Sequence, residues 1–368
     1  MIGANDTADG NAANMRIAVV GLGYWGPKLL RSLAVLWGEQ RIVAVDHSAE
    51  RLAAVRISHP RVRCVATLDE ALVDLRVKAV IIATPLSSHA ELARTAMSAG
   101  CAVMVEKPLA GSAADARDLV RQAAAGGHVL MVAHTFLFSP RVQWLAEYIR
   151  AGELGDVLYA TSSRLNLGLH RSDTSVIWDL APHDFSILFH LLGEFPRTVQ
   201  TSARSIARQG HCDVAFMNLS FASGIIASVD VSWMAPRKIR NTAVVGNRKM
   251  AIYDDTDNEA PVKIYDRGIV RTESPDFGEH QLTYRYGDTV SPYISSREPL
   301  ASELSHFLDC VLNGTPCLSD GEFGLRIVEV LEAAETSRAQ GGSPAEIVTL
   351  TEEVEVYGRA RHRVRHRA

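Results

Sequence analysis

Arg16 to Gly26, RIAVVGLGYWG, is the stretch that decides the fold. It opens with a short β-branched apolar run without alternation, the pattern of a strand covered on both faces of a parallel sheet. The run leads straight into Gly21, Gly23 and Gly26, and PKLLRSLAVL follows with helical apolar spacing. Strand, GxGxxG, helix reads as a dinucleotide-binding turn. The glycines allow a tight bend, backbone amides approach a pyrophosphate, and the helix N-terminus adds partial positive charge. Tyr24 and Trp25 fill the variable positions of that turn and belong to the expected cofactor contacts.

The next strand-like run, RIVAVD, ends at Asp46. A carboxylate there accepts hydrogen bonds from adenosine ribose hydroxyls and repels a 2′-phosphate, which points to NAD over NADP. The alternative is that Asp46 only caps the helix beginning near Ser48. Strand and helix go on alternating through KAVIIATP, SHAELARTAMSAG, CAVMVEKP and SAADARDLVRQAAAGG to the strand HVLMVAH. The spacing predicts an α/β Rossmann domain, a doubly wound parallel sheet, over residues 15–135, with ligands beyond the carboxyl ends of its strands. Thr84, Pro85, Glu106, Lys107 and His134 occupy those ends. Lys107 follows an apolar strand, so its ammonium is placed to hydrogen-bond a substrate hydroxyl and stabilise alkoxide character as a hydride departs.

A chain of 368 residues calls for more than one core, and residues 136–357 read as a second domain. FSPRVQWLAEYIRAGELG has the spacing of an amphipathic helix. VLYATSSRLN, RTVQTSARSI, DVAFMNLSFA, GIIASVDVSW, RNTAVVGN and KMAIYDD are β-branched, bounded by turn residues and not interleaved with helices. That pattern predicts an α+β domain with a large, open, mostly antiparallel sheet. The net charge of -4 gives no general attraction for nucleic acid or an anionic membrane. The five cysteines are scattered and no CxxC occurs, so no metal site or disulfide framework is expected. Residues 1–14 read as a disordered N-terminus without the apolar centre of a signal peptide, and 358–368 as a solvated basic tail. No apolar run is long enough to span a bilayer, and the expected location is cytoplasmic.

WDLAPHDF, Trp178 to Phe185, puts an acid and an imidazole four residues apart ahead of an apolar run. Pro182 belongs in a first helical turn, so the expectation is a helix starting near Leu180 with Asp179 near its N-cap. His183 then lies on the same side one turn on. The helix N-terminus keeps it neutral and able to accept a proton, while Asp179 orients the ring. The alternative is a capping Asp and a satisfied core His.

With GLGYWG, ATPLSSHAELARTAMSAG, VMVEKPLA and WDLAPHD in this order, the chain resembles the Gfo/Idh/MocA family of NAD(P)-dependent sugar and polyol oxidoreductases. The resemblance implies NAD as cofactor, catalytic Lys107, Asp179 and His183, and a second domain whose open sheet carries the substrate face and often an oligomer interface. A homodimer or homotetramer is expected. WDLAPHD and GYWGPKLLR are similar to the subgroup that oxidises the 3-hydroxyl of nucleotide-linked hexoses such as UDP-N-acetylglucosamine or its uronic acid. By position, Arg164, Asn166 and Asp173 could reach a sugar or its phosphates, although Arg164 and Asp173 read equally as a surface salt bridge. Inositol or free-sugar oxidation and ketosugar reduction remain alternatives within the family. A non-catalytic NAD-binding regulator is the alternative outside it, disfavoured because such a protein has no need of Lys107, Asp179 and His183 together.

Overall fold

The computed structural model describes residues 14–168, 174–207, 210–271 and 282–348. The chain alternates first. β1 (Arg16–Val20), α1 (Gly26–Trp37), β2 (Ile42–Val45), α2 (Ala49–Ser58), β3 (Arg63–Val65), α3 (Leu68–Leu72), β4 (Val77–Ile82), α4 (His89–Ser98), β5 (Ala102–Glu106), α5 (Ala113–Gly126) and β6 (Leu130–Ala133) follow one another. The six strands pair in parallel in the order β3-β2-β1-β4-β5-β6, the doubly wound sheet that the alternation implies. Residues 42–45 are buried throughout, as a strand covered on both faces must be. Local chemistry sets the helix starts: the Ser48 and Ser112 hydroxyls accept from the amides of Arg51 and Asp115. Ser48, then, is the residue that caps α2 with its side chain.

The second half is built on α6 (Pro140–Arg150), β7 (Val157–Leu167) and α7 (Val176–Leu192). The strands β8 (Pro196–Arg204), β9 (Val214–Phe221), β10 (Ile226–Ser232), β11 (Met234–Gly246), β12 (Met250–Asp254) and β13 (Val262–Tyr265) follow. A two-stranded ribbon, β14 (Gly268–Arg271) with β15 (Leu282–Arg285), leads to the short β16 (Thr289–Val290). The chain ends in α8 (Pro299–Asn313), α9 (Gly321–Ala339) and β17 (Ala345–Glu346). Nine strands form the large sheet in the order β16-β13-β12-β11-β7-β10-β9-β8-β17, antiparallel except for the parallel pair β7–β10.

α7 covers one face of this sheet. Ile177, Phe185 and Leu188 join Ala215, Met217, Val229 and Val231 in one buried core. The other face carries Tyr159, Phe216 and Ile226, each more than two-fifths exposed. α8 returns to the first domain, where Leu304, Phe307 and Leu308 pack with Leu29, Leu33 and Met131. No helix among the described residues is long and apolar enough to cross a membrane.

Candidate active site

A cleft of about 1020 Å³ opens beyond the carboxyl ends of β1, β2, β4 and β5. Its first half is the glycine turn. A Cβ on Gly26 would stand 2.2 Å from the Gly21 carbonyl oxygen, and one on Gly21, whose φ is +93°, would stand 2.6 Å from that of Ala83. The turn closes only with glycine at both places. A Cβ on Gly23 would meet nothing within 4 Å, which leaves the backbone open to a phosphate. Tyr24 and Trp25 meet edge-to-face at the cleft wall, with the Lys28 ammonium 3.5 Å from the Tyr24 ring centre.

Asp46 lines the cleft at the end of β2. Its carboxylate accepts the Leu22 amide at 2.7 Å, the Ser48 amide at 2.8 Å and the Arg51 guanidinium at 3.3 Å. Burial pushes its pKa up, but the Ser48 and Leu22 amides and Arg51 outweigh that and hold it below the usual carboxylate value. The acid stays ionised at the end of β2. Thr84, Pro85 and Glu106 line the same wall. These residues fit a dinucleotide.

Lys107 brings the two halves together. Its ammonium donates to the backbone carbonyl oxygen of Asp179 at 2.5 Å and lies 3.6 Å from the Asp179 carboxylate, which also accepts the Trp233 indole N–H at 3.2 Å. The Lys107–Pro108 peptide is cis. Behind it His89, 1% exposed, places its two ring nitrogens 2.9 Å from the carbonyl oxygens of Pro108 and Thr84. His89 thus ties together the loops after β4 and β5. It was within sight in SSHAEL, but nothing in that stretch marks a histidine that will be buried.

The start of α7 differs from the sequence expectation. The helix begins at Val176 after Ser175, so Asp179 is in its first turn and Pro182 lies inside it. The ring of Pro182 removes one backbone donor from the helix, a loss that the packed apolar face outweighs. His183 is therefore two turns in, beyond the reach of the helix N-terminus. Burial first, then the nearby Lys107, Arg164, His134 and Arg240, holds its pKa well below the ordinary value. The neutral imidazole was anticipated; its cause was not.

The expected bond from Asp179 to this ring is not formed at Nδ1, which is buried without a hydrogen-bond partner among the described residues. The Phe136 ring, edge-on at 5.2 Å, braces the imidazole instead. His183 and Asn166 line the cleft, and so do Trp178, Trp233 and Arg240, which the sequence did not single out. Arg240 follows directly on the register shift between Met234 and Ile239 in β11, where alternation gives no guide to which residues face inward.

Arg164 and His134 fall outside the cleft lining. Arg164 is 3% exposed, pairs with buried Asp184 at 2.7 Å and covers the Phe136 ring at 4.6 Å. Ser162 donates to the same carboxylate at 2.8 Å. Asp184 thus fixes α7 on β7. His134 is 1% exposed behind Lys107, and burial with that ammonium lowers its pKa to about 3. Nearby, burial raises Glu106 to about 7, with Lys107 opposing. Burial and then Glu106 raise Glu303 of α8 well above the carboxylate range. Asp173 lies outside the described residues.

Two sequence profiles match this chain: an oxidoreductase family with an NAD-binding Rossmann fold over residues 15–134, and the GFO/IDH/MocA C-terminal domain over 142–252. The chain belongs to the Gfo/Idh/MocA family. It is 28% identical to the UDP-N-acetylglucosamine 3-dehydrogenase of Acidithiobacillus ferrooxidans, over 86% of this chain and 94% of that one. It is 29% identical to inositol 2-dehydrogenase 1 of Paenarthrobacter aurescens, over 82% of this chain and 86% of that one. Among solved structures, GenD2 from gentamicin A biosynthesis in complex with NAD superposes with a TM-score of 0.75 at 26% identity, covering 91% of this chain and 97% of that one. The first domain is an NAD-binding Rossmann domain of a family of sugar oxidoreductases.

Proposed function

We propose that this protein oxidises a ring hydroxyl of a sugar, C3 of a nucleotide-linked hexose in the first instance, with NAD as acceptor. The observation that carries the reading is the meeting of Lys107 from the first domain with the Asp179 and His183 segment of the second, inside the cleft that begins at the glycine turn. NAD when bound supplies the hydride acceptor. His183 takes the hydroxyl proton, since it is neutral near neutral pH. Lys107 donates a hydrogen bond to the same oxygen and stabilises its developing negative charge. Asp179 holds that ammonium from the other side of the cleft.

The relative named a UDP-N-acetylglucosamine 3-dehydrogenase supports the nucleotide-sugar substrate. Arg240 is a polar group on the substrate wall, with its Nε buried and unpartnered among the described residues. A panel of UDP-hexoses, inositols and free aldoses, followed by NADH absorbance, tests the reading. UDP-N-acetylglucosamine or its uronic acid should turn over best; turnover of inositols alone would replace it with the polyol reading that the inositol dehydrogenase relative supports.

Asp46 supports NAD over NADP, and Asp46→Ala should narrow that preference by calorimetry. A wild type that prefers NADP would contradict the assignment. The exposed face of the large sheet supports a homodimer or homotetramer. Tyr159 and Ile226 sit opposite each other on β7 and β10, and Phe216 pairs with Asp230 across β9 and β10. Phe216→Glu should shift the mass in light scattering towards the monomer, whereas a monomeric wild type would refute the assembly.

A further inference from the structure

We propose that His306, Cys310 and Cys317 form a binding site for a thiophilic divalent cation, zinc being the best fit. His306 and Cys310 are four residues apart on α8, so their side chains share a face of the helix. Cys317 reaches the same point from the loop between α8 and α9. The three donor atoms all lie within 4.8 Å of one another, and His306 Nε2 is 3.4 Å from Cys310 Sγ. Zinc bonds of about 2.0–2.1 Å to nitrogen and about 2.3 Å to sulfur put tetrahedral N and S donors roughly 3.6 Å apart. The pair on the helix already has that spacing. Cys317 completes the set within the same 4.8 Å.

The imidazole is also held in the tautomer that a metal requires. The Leu318 amide donates to His306 Nε2 at 3.0 Å, so that nitrogen carries no proton, and the Cys310 sulfur stands 3.4 Å from it. A cation taken up here displaces that amide from the lone pair. The Phe138 ring, 5.3 Å away, limits rotation of the imidazole. Cys310 is buried while Cys317 and His306 are half-buried, and a tetrahedral cation would take its fourth ligand from outside these three residues.

The site lies at a structural joint. Just past Cys317, Ser319 donates to the Val132 carbonyl oxygen at 2.7 Å and accepts the Val132 amide at 2.8 Å, fastening the loop to β6 two residues before His134. A cation here would clamp the end of α8 to that loop.

The test uses the full-length protein, reduced, stripped of metal and titrated anaerobically with cobalt chloride, then with zinc chloride. The expected result is thiolate-to-cobalt charge-transfer absorption with tetrahedral d–d bands, saturating at about one equivalent and displaced by zinc. Outer-shell partners alone are worth about 10–100-fold in affinity, so Cys317→Ser and His306→Gln should each lose at least roughly a hundredfold. Both positions are half-buried, and circular dichroism checks that the variants fold. Cys64→Ser, remote from the cluster, should leave the titration unchanged. No charge-transfer band in the wild type overturns the proposal, and so does a band undiminished in Cys317→Ser. Recovery of a Cys310–Cys317 disulfide whose reduced form takes up no cobalt overturns it in favour of a redox pair.

Discussion

The Lys107 ammonium donates to the main-chain carbonyl oxygen of Asp179 at 2.5 Å, so the loop after the fifth strand of one domain is bonded to the first turn of a helix in the other. The same ammonium stands 3.6 Å from the Asp179 carboxylate. Both side chains are largely shielded from water, which strengthens the attraction relative to a surface pair. The charge of Asp179 therefore acts on Lys107, and through it on whatever oxygen Lys107 binds.

Asp179→Asn keeps the shape and the indole contact but removes that charge. It should lower kcat by roughly tenfold to a hundredfold while NAD affinity changes little, since the glycine turn and Asp46 are untouched. Equal loss in NAD binding and in kcat, by calorimetry and steady-state rates, would show Asp179 to be structural.

The buried pair of Arg164 and Asp184 makes a prediction about stability. Arg164→Ala leaves a buried carboxylate with no cation, and should cost about 3–5 kcal/mol in denaturant unfolding. Replacing both residues with apolar ones of similar volume should cost less than the single change. A single-mutant cost near zero would mean that the carboxylate is not buried in solution.

Acid and alkali should destabilise the protein through different groups. His134 and His183 have folded pKa values below the ordinary 6.5, so they stay neutral where the unfolded chain takes up protons. Their contribution is complete above pH 6.5 and is lost as pH falls towards 3, the folded value of His134, at about 1.4 kcal/mol per pH unit for each. Glu106 and Glu303 have raised values, so their contribution is complete below the ordinary 4.5 and is lost as pH rises, through about 7 for Glu106. Glu303→Gln should therefore raise the melting midpoint by a few degrees more at about pH 8 than at about pH 5. A shift of the same size at both would rule out a titrating Glu303.

How far the sequence carries the structure follows from which signals are local. Unbroken apolar strands and a glycine turn are local, so Gly21, Gly23, Asp46, Thr84 and Lys107 could be placed on one crevice before any coordinates. Strand alternation likewise marked β7 to β12. The site's second half depends on long-range packing. Arg164 reads as a surface or ligand-binding charge from its neighbours, and only the fold shows Asp184 against it. Pro182 reads as a helix start, because the packing that allows it inside α7 comes from β7, β9 and β10. Arg240 and Trp233 reach the cleft on either side of an irregularity in β11 that no periodicity reports. The cysteines showed no CxxC, yet a helical turn and a seven-residue step bring Cys310 and Cys317 beside His306.

The most direct test of the account is turnover of His183→Ala, with Lys107→Ala alongside, on the sugar that the wild type oxidises, at saturating NAD. The account predicts a loss in kcat of about a hundredfold to ten-thousandfold for His183→Ala, with NAD affinity nearly intact, and a similar loss for Lys107→Ala. Near-wild-type turnover in both variants would contradict it.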